Sequence, residues 1–243
     1  MPKPHTLLCT IGTSLFHPNL SKLKDATRDP TLAALAQAYG LIDWQKVAEL
    51  LHELEPTDRL CGAEINSVTD LLKQGFIERV HLHLLHSDTD DGQAIAKILQ
   101  FYFKADGWQV TPHRVEGLRD DDPRAFRTHG LRNLAKIFGE RVRETGAGFC
   151  AINATGGYKA QIAIAVLMGQ ALDIPVYYKH ERFDAIIPFP PMPVALDFSI
   201  WQRASGMFMV LGKGEVVPWE QYREDWDERF ETLINREEID GND

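Results

Sequence analysis

Two short stretches of this sequence carry residue types able to hold a phosphate and act on it. The first is Asn153-Ala154-Thr155-Gly156-Gly157-Tyr158-Lys159, set between the apolar runs Gly148–Ile152 and Ala160–Met168. The run before it has the length of a buried strand; the alanine-rich run after it is too long for one and predicts a mostly buried helix. Strand, glycine-rich turn, helix is an order that turns backbone N–H groups and the positive end of a helix dipole toward an anion. Lys159 falls in the first helical turn, where a cation opposes that dipole. A bound phosphate supplies the missing negative charge; on the plainer reading Gly156 and Gly157 only tighten a turn and Lys159 is solvated. Taken alone, these residues leave both readings open.

The second stretch is Gly12-Thr13-Ser14, directly after the strand-like run His5–Ile11. It offers small residues, hydroxyls and unhindered N–H groups, a set that suits phosphate oxygens. A third turn, His86-Ser87-Asp88-Thr89-Asp90-Asp91-Gly92, is acidic. It would repel phosphate; it could bind ribose hydroxyls or position other loops, and capping of the next helix is the favoured reading. Other chemistries fit less well. The sequence has neither the G-x-G-x-x-G spacing of dinucleotide enzymes nor a P-loop, so no cofactor is expected. His81 and His83 alternate on one strand face but lack a third ligand at that spacing, so no metal site is expected and they read as strand histidines.

The elements that position these turns alternate along the chain. Strands are predicted at His5–Ile11, Arg79–Leu85, Trp108–Val115, Gly148–Ile152 and Pro175–Lys179. Helical patterns cover 31–54, broken near Gly40 with Asp43 as the cap for Trp44 onward, then Ala63–Gln74 ending at Gly75, Gly92–Lys104 and Asp122–Thr145. A hairpin-like piece, Asp184–Ile187, leads into Pro188-Phe189-Pro190-Pro191-Met192-Pro193. The expected fold is α/β: a Rossmann-like, mainly parallel sheet flanked by helices over 1–197. A short, mainly helical appendage is expected over 198–243, with an acidic helix at Trp219–Arg236 and a frayed tail at Glu237–Asp243.

Composition bounds the partners. The chain has 243 residues and a net charge of −9, which argues against coating a long nucleic acid. No apolar run reaches the ~20 residues that span a bilayer, and Met1-Pro2-Lys3-Pro4 enters a strand-like run without a leader layout. The three cysteines, Cys9, Cys61 and Cys150, all in apolar segments, read as free thiols of a reducing, cytoplasmic compartment.

Taken in order, several of these pieces resemble the CARF domains (CRISPR-associated Rossmann fold) of type III CRISPR systems. The pieces are Ile11–Leu15, Ala63–Ser67, His86–Gly92, Gly117-Leu118, Phe126–Leu134, Asn153–Lys159 and Ile187–Pro193. The resemblance implies a homodimer that sets two copies of the Gly12 and Gly156 turns around a two-fold axis. That cleft would bind a cyclic oligoadenylate, cyclic tetra-adenylate foremost. Separate effector domains fit poorly: residues 198–243 are few, and no histidine follows His180, which excludes an intact HEPN ribonuclease site there. Two looser Arg-x(4–6)-His matches, Arg79 to His86 and Arg124 to His129, read as chance.

The resemblance is therefore to stand-alone ring nucleases, whose pocket itself cuts the signal without metal. It implies Ser14 and Lys159 as catalytic residues, with Gly12, Thr13, Asn153, Thr155, Gly156, Gly157 and Tyr158 holding the ring. The alternative is a non-catalytic cyclic oligoadenylate sensor, a module of a longer or partner-dependent effector.

Overall fold

The computed structural model describes residues 3–23, 28–180, 185–194, 198–224, 226–232 and 234. The strands are β1 (Thr6–Thr10), β2 (His81–Ser87), β3 (Gln109–Val115), β4 (Cys150–Asn153), β5 (Val176–Tyr178) and β6 (Ile187–Pro188). They form one sheet in the order β3-β2-β1-β4-β5-β6, parallel through β5, with β6 antiparallel at the edge. The chain works outward from β1 to β3, then crosses back to place β4 on the other side of β1. That reversal makes the gap between β1 and β4 the switch point of a doubly wound, Rossmann-like sheet.

Helices cover both faces: α1 (Pro30–Gly40), α2 (Trp44–Leu51), α3 (Gly62–Lys73), α4 (Asp90–Ala105), the single turn α5 (Pro123–Ala125), α6 (Leu131–Thr145) and α7 (Lys159–Ala171). Strand β1 is buried throughout because its alternate side chains feed two cores. Leu7 and Cys9 join Val47, Leu51, Ile65, Val68, Ile95 and Leu99; Leu8 joins Leu134, Phe138, Ile152 and Ala165.

Helix ends follow the local chemistry. Asp43 caps α2 by accepting the Lys46 N–H at 3.1 Å, as its place before Trp44 predicts. Gly75, just past α3, takes the φ of +71° that favours glycine.

Two expectations are corrected. The fourth strand starts at Cys150, not Gly148, because Gly146 (φ +92°) bends the chain and Ala147–Phe149 closes a 3₁₀ turn. The acidic stretch from Trp219 is not one helix. Its described residues hold two 3₁₀ segments, Trp219–Gln221 and Glu228–Thr232, while the regular helix nearby is the apolar α8 (Phe198–Leu211). Glu220, Glu224 and Glu228 would stack at i, i+4 spacing on a helix, and like charges there repel.

The chain divides into two compact units, Met1–Val194 and Ala195–Asp243. In the second, Ala204, Met207 and Phe230 form a small buried cluster with Phe208, Tyr222 and Trp226 packed against it. The Glu237–Asp243 tail lies outside the described residues. Among those described, no helix is long and apolar enough to cross a membrane.

Candidate functional site

The turns leaving β1 and β4 meet at the switch point, where open α/β sheets hold their ligands. The approach is close enough to require glycine on both sides. A Cβ on Gly12 would lie 2.6 Å from the Gly157 nitrogen; one on Gly156 would lie 2.0 Å from Glu64 Oε1 and 2.8 Å from the Gly12 nitrogen. Gly157 adds a φ of +109°, accessible without strain only to glycine.

Beneath the turns lies a buried polar network that fixes their shape. Thr10 Oγ1 donates to the Gly156 carbonyl at 2.6 Å. Asn153, fully buried, donates from its amide to Ser67 Oγ (2.7 Å) and Cys9 Sγ (3.3 Å), and its Oδ1 accepts from Thr155 Oγ1 (2.6 Å). The Thr155 hydroxyl oxygen in turn accepts the Lys179 N–H at 3.0 Å. Lys179 Nζ pairs with Asp70 of α3. Gln161 of α7 accepts the Tyr158 N–H and donates to the Leu85 carbonyl, tying the turn to β2.

Between the two turns sits Glu64, in the first turn of α3 and wholly buried. Its Oε1 accepts the Gly12 N–H at 2.7 Å, while Oε2 is buried with no hydrogen-bond partner among the described residues. Burial pushes the carboxyl up to about 7; the N–H groups of Gly12 and of Glu64 itself pull the other way but do not offset it. Gly12 therefore gives its N–H inward, to a carboxyl.

The sequence-named residues fall into two layers. Thr13 and Lys159 are exposed, and Gly12, Ser14, Thr155, Gly157 and Tyr158 are half-buried at the rim, while Asn153 and Gly156 are buried beneath. Ser14 Oγ accepts the Ala63 N–H at 3.1 Å, which orients the hydroxyl and leaves its proton free to donate. The N–H groups of Gly157 and Lys159, at the head of α7, make no hydrogen bond with any described residue, and the Lys159 ammonium makes no ion pair among them. Tyr158 meets Phe126 edge-to-face at 5.4 Å. The rim thus presents a hydroxyl, unpartnered amides, a dipole end and a cation, a set that can bind a phosphate and stabilise charge building on it.

Sequence reading placed Glu64 and Ser67 in the Ala63–Ser67 piece without giving either a role, and did not single out Thr10 or Lys179. A signal for Glu64 was present: it precedes Val68 and Leu71 at i+4 and i+7, on the buried stripe of α3 rather than its solvated side. The acidic turn after β2 caps α4, with Thr89 Oγ1 accepting the Gly92 N–H at 3.1 Å. His83 pairs with His113, Nδ1 to Nε2 at 2.9 Å, and burial first, aided by the Arg141 charge, pushes both down to about 4. Of the loose Arg-x-His pairs, Arg79 is spent on the Asp106 carbonyl and His86 on that of Ser87.

Residues 59–192, more than half of the chain, match the model of a family described as CRISPR-associated protein (Cas_APE2256). No curated protein matches the chain.

Proposed function

The chain belongs to the Cas_APE2256 family of CRISPR-associated proteins, and we propose that it binds a cyclic oligoadenylate, cyclic tetra-adenylate foremost, and slowly opens the ring. The observation that carries the reading is the meeting of the Gly12 and Gly156 turns at the switch point, with Ser14 and Lys159 on their rim. The resemblance to CARF domains supports the ligand class.

The ring is symmetric, and a pair of protomers matches it. Helix α7 supports such a pairing. Its only charged side chain is Lys159, and Ala160, Ala163, Ile164 and Leu167 fall at i, i+3, i+4 and i+7 on one face. Ala163 and Leu167 are exposed, Leu167 at 51%. A second copy packed on that apolar strip would cover it and bring two Lys159 ammonium groups toward one cleft.

Ring opening then follows from the rim residues. A ribose 2′-oxygen bonds to the adjacent phosphorus, and the bond from phosphorus to the 5′-oxygen breaks. The hydroxyl proton leaves to solvent, and the departing 5′-oxygen takes one up. Ser14 holds the 2′-hydroxyl or a phosphate oxygen in line, and Lys159 with the α7 amides stabilises the negative charge on the phosphorane. Neither turn contributes a His, Asp or Glu side chain as a surface base, which fits slow turnover.

A second reading, a sensor that binds without cutting, is favoured by the Ser14–Ala63 bond, because that contact gives Ser14 a purely structural use. Incubation with labelled cyclic tetra-adenylate in excess EDTA separates the two. Linear product ending in a 2′,3′-cyclic phosphate is the expected outcome. Retained but intact ligand leaves only the sensor, and no binding of any ring size sinks both.

A further inference from the structure

We propose that the Glu64 carboxyl takes up a proton when a cyclic oligonucleotide, a ring of phosphodiesters, binds the Gly12 and Gly156 turns, so that the site holds its ligand with Glu64 neutral. The inference rests on the phosphate-binding reading above and assigns it a positioning residue that works through the turns. Glu64 Oε1 accepts the Gly12 N–H and lies against Gly156, on the inner side of the two turns whose rim (Ser14, Lys159 and the Gly157 and Lys159 amides) is assigned the phosphates. A phosphate held on the outer side of these turns would bring a second negative charge close to the carboxyl, and like charges oppose each other's ionisation.

Among the described residues, no cation is paired with Glu64. From β1, Cys9 faces it, and its thiol is held protonated by burial first and the Glu64 charge second. From the β4 turn come the neutral Asn153 and Thr155, from α7 the neutral Gln161, and from α3 itself Ser67. Asp70, further along α3, is matched by Lys179 from the end of β5. Lys159 is exposed on the rim, on the side where a ligand would claim it.

The anionic carboxyl thus keeps one oxygen buried and unpartnered. Its protonated form removes the clash with a phosphate at no charge cost, and the carboxyl stands close to neutrality in the free protein. An acid poised there changes state in response to a ligand of a few negative charges, which an ordinary surface glutamate would not do.

The sign follows from linkage. Below about pH 7 Glu64 is already protonated and the ring binds without cost; above it each binding event must draw a proton from solvent. Affinity therefore falls as pH rises through 7, by up to about tenfold per pH unit. Glu64→Gln keeps the shape and the oxygen that accepts from Gly12 while carrying no charge, so it mimics the bound form.

The test is calorimetric titration of the wild-type protein with cyclic tetra-adenylate at about pH 6 and about pH 8, in buffers of different ionisation enthalpy, which counts the protons exchanged. The expected result is uptake approaching one proton per protomer at the higher pH. Glu64→Gln should take up none and bind equally at both pH values, as tightly as the wild type does at the lower. Infrared difference spectra of the wild type serve as a variant-free check: a protonated-carboxyl band should grow when ligand is added. Binding without proton uptake, or a pH slope that survives Glu64→Gln, overturns the role of Glu64 and leaves the site reading standing. Absence of binding at either pH overturns the site reading and the inference with it.

Discussion

The turns after β1 and β4 and the turn after β2 stand at the carboxyl end of the same sheet, and each draws a carboxyl group in among backbone amides. At the β2 turn the group is Asp88, whose Oδ2 accepts the Gly117 N–H at 2.9 Å and whose other oxygen is paired with Arg114. Partial burial pushes the Asp88 carboxyl up, but the Gly117 amide and the bond and charge of Arg114 outweigh it, and the net displacement is downward. At the switch point the group is Glu64, which accepts the Gly12 N–H, has no cation paired with it among the described residues, and is displaced in the opposite direction. A place at the carboxyl end of a parallel strand is common to both. Whether the carboxyl is answered by a cation separates a turn that is electrostatically complete from one that has capacity left for a ligand. The β2 turn borders a polar cavity of about 390 Å³ that includes Asp88, Asp120 and Asp121 beside Arg114 and Arg119. Its cations are matched by its own carboxylates, whereas Lys159 is matched by nothing described.

The largest effect that tests this contrast is on stability against pH. Glu64 stands at about 7 in the folded chain against an ordinary 4.5, so its contribution is fully present below 4.5 and is lost as pH rises through 7. That displacement is worth up to on the order of 3 kcal/mol. Asp88 runs the other way: its contribution is present above the ordinary carboxylate value and lost as pH falls from there through its lowered folded value. Urea unfolding at a series of pH values should therefore give a decline between about 4.5 and 7 that Glu64→Gln removes and Asp88→Asn leaves in place. A decline of equal size in the Gln variant would break the contrast.

Next in size is Gly156→Ala. Its methyl would meet both Glu64 Oε1 and the Gly12 backbone nitrogen, so the two turns must part. A loss of about 2 kcal/mol is expected in urea unfolding, as for an overpacked core site. Gly139→Ala on α6, with open space around it, should instead gain roughly 0.5–1 kcal/mol. Equal effects would mean the turns do not depend on close approach.

Lys159→Ala sharpens the functional half of the comparison. If the rim binds phosphate, affinity for cyclic tetra-adenylate or its cleavage should fall roughly tenfold or more, the loss of one charge-assisted contact. Stability should hold or rise by a few tenths of a kcal/mol, because a cation leaves the positive end of α7. A variant that unfolds more easily but binds normally would return Lys159 to a structural role.

Much of the frame was legible because it is written locally. The apolar run, glycine pair and alanine-rich run around Gly156 specify strand, turn and helix by their own lengths, and Asp43 announces the start of α2 by its side chain. The switch point is legible only from the order of elements, and the contact between Gly12 and Gly157 only from the folded sheet, since 145 positions separate them in sequence. Glu64 was given no role for the same reason. Its significance comes from Gly12, 52 positions away, and from burial, while a glutamate in the first turn of a helix is ordinarily a solvated, dipole-favoured residue. The acidic C-terminal stretch misled in the opposite sense: aromatic and charged residues alternate there at plausible helical spacing, yet the glutamates that would line one face repel one another.

The smallest effect is the one that separates a ligand confined to the switch point from one that reaches across the sheet. Arg114→Ala removes the cation from Asp88, but the arginine side chain is 67% exposed and the Gly117 N–H remains in place. A solvent-screened pair of this kind contributes at most about 1 kcal/mol, so thermal unfolding should change little. Binding of cyclic tetra-adenylate should be unchanged within about twofold if the ligand is held by the Gly12 and Gly156 turns alone, since no contact of that size is lost. A fall as large as that of Lys159→Ala, with the fold intact, would mean that the polar cavity beside Asp88 contributes a cation to the ring. The acidic turn would then be part of the same site, with Asp88 holding Arg114 in reserve for a phosphate rather than closing the turn.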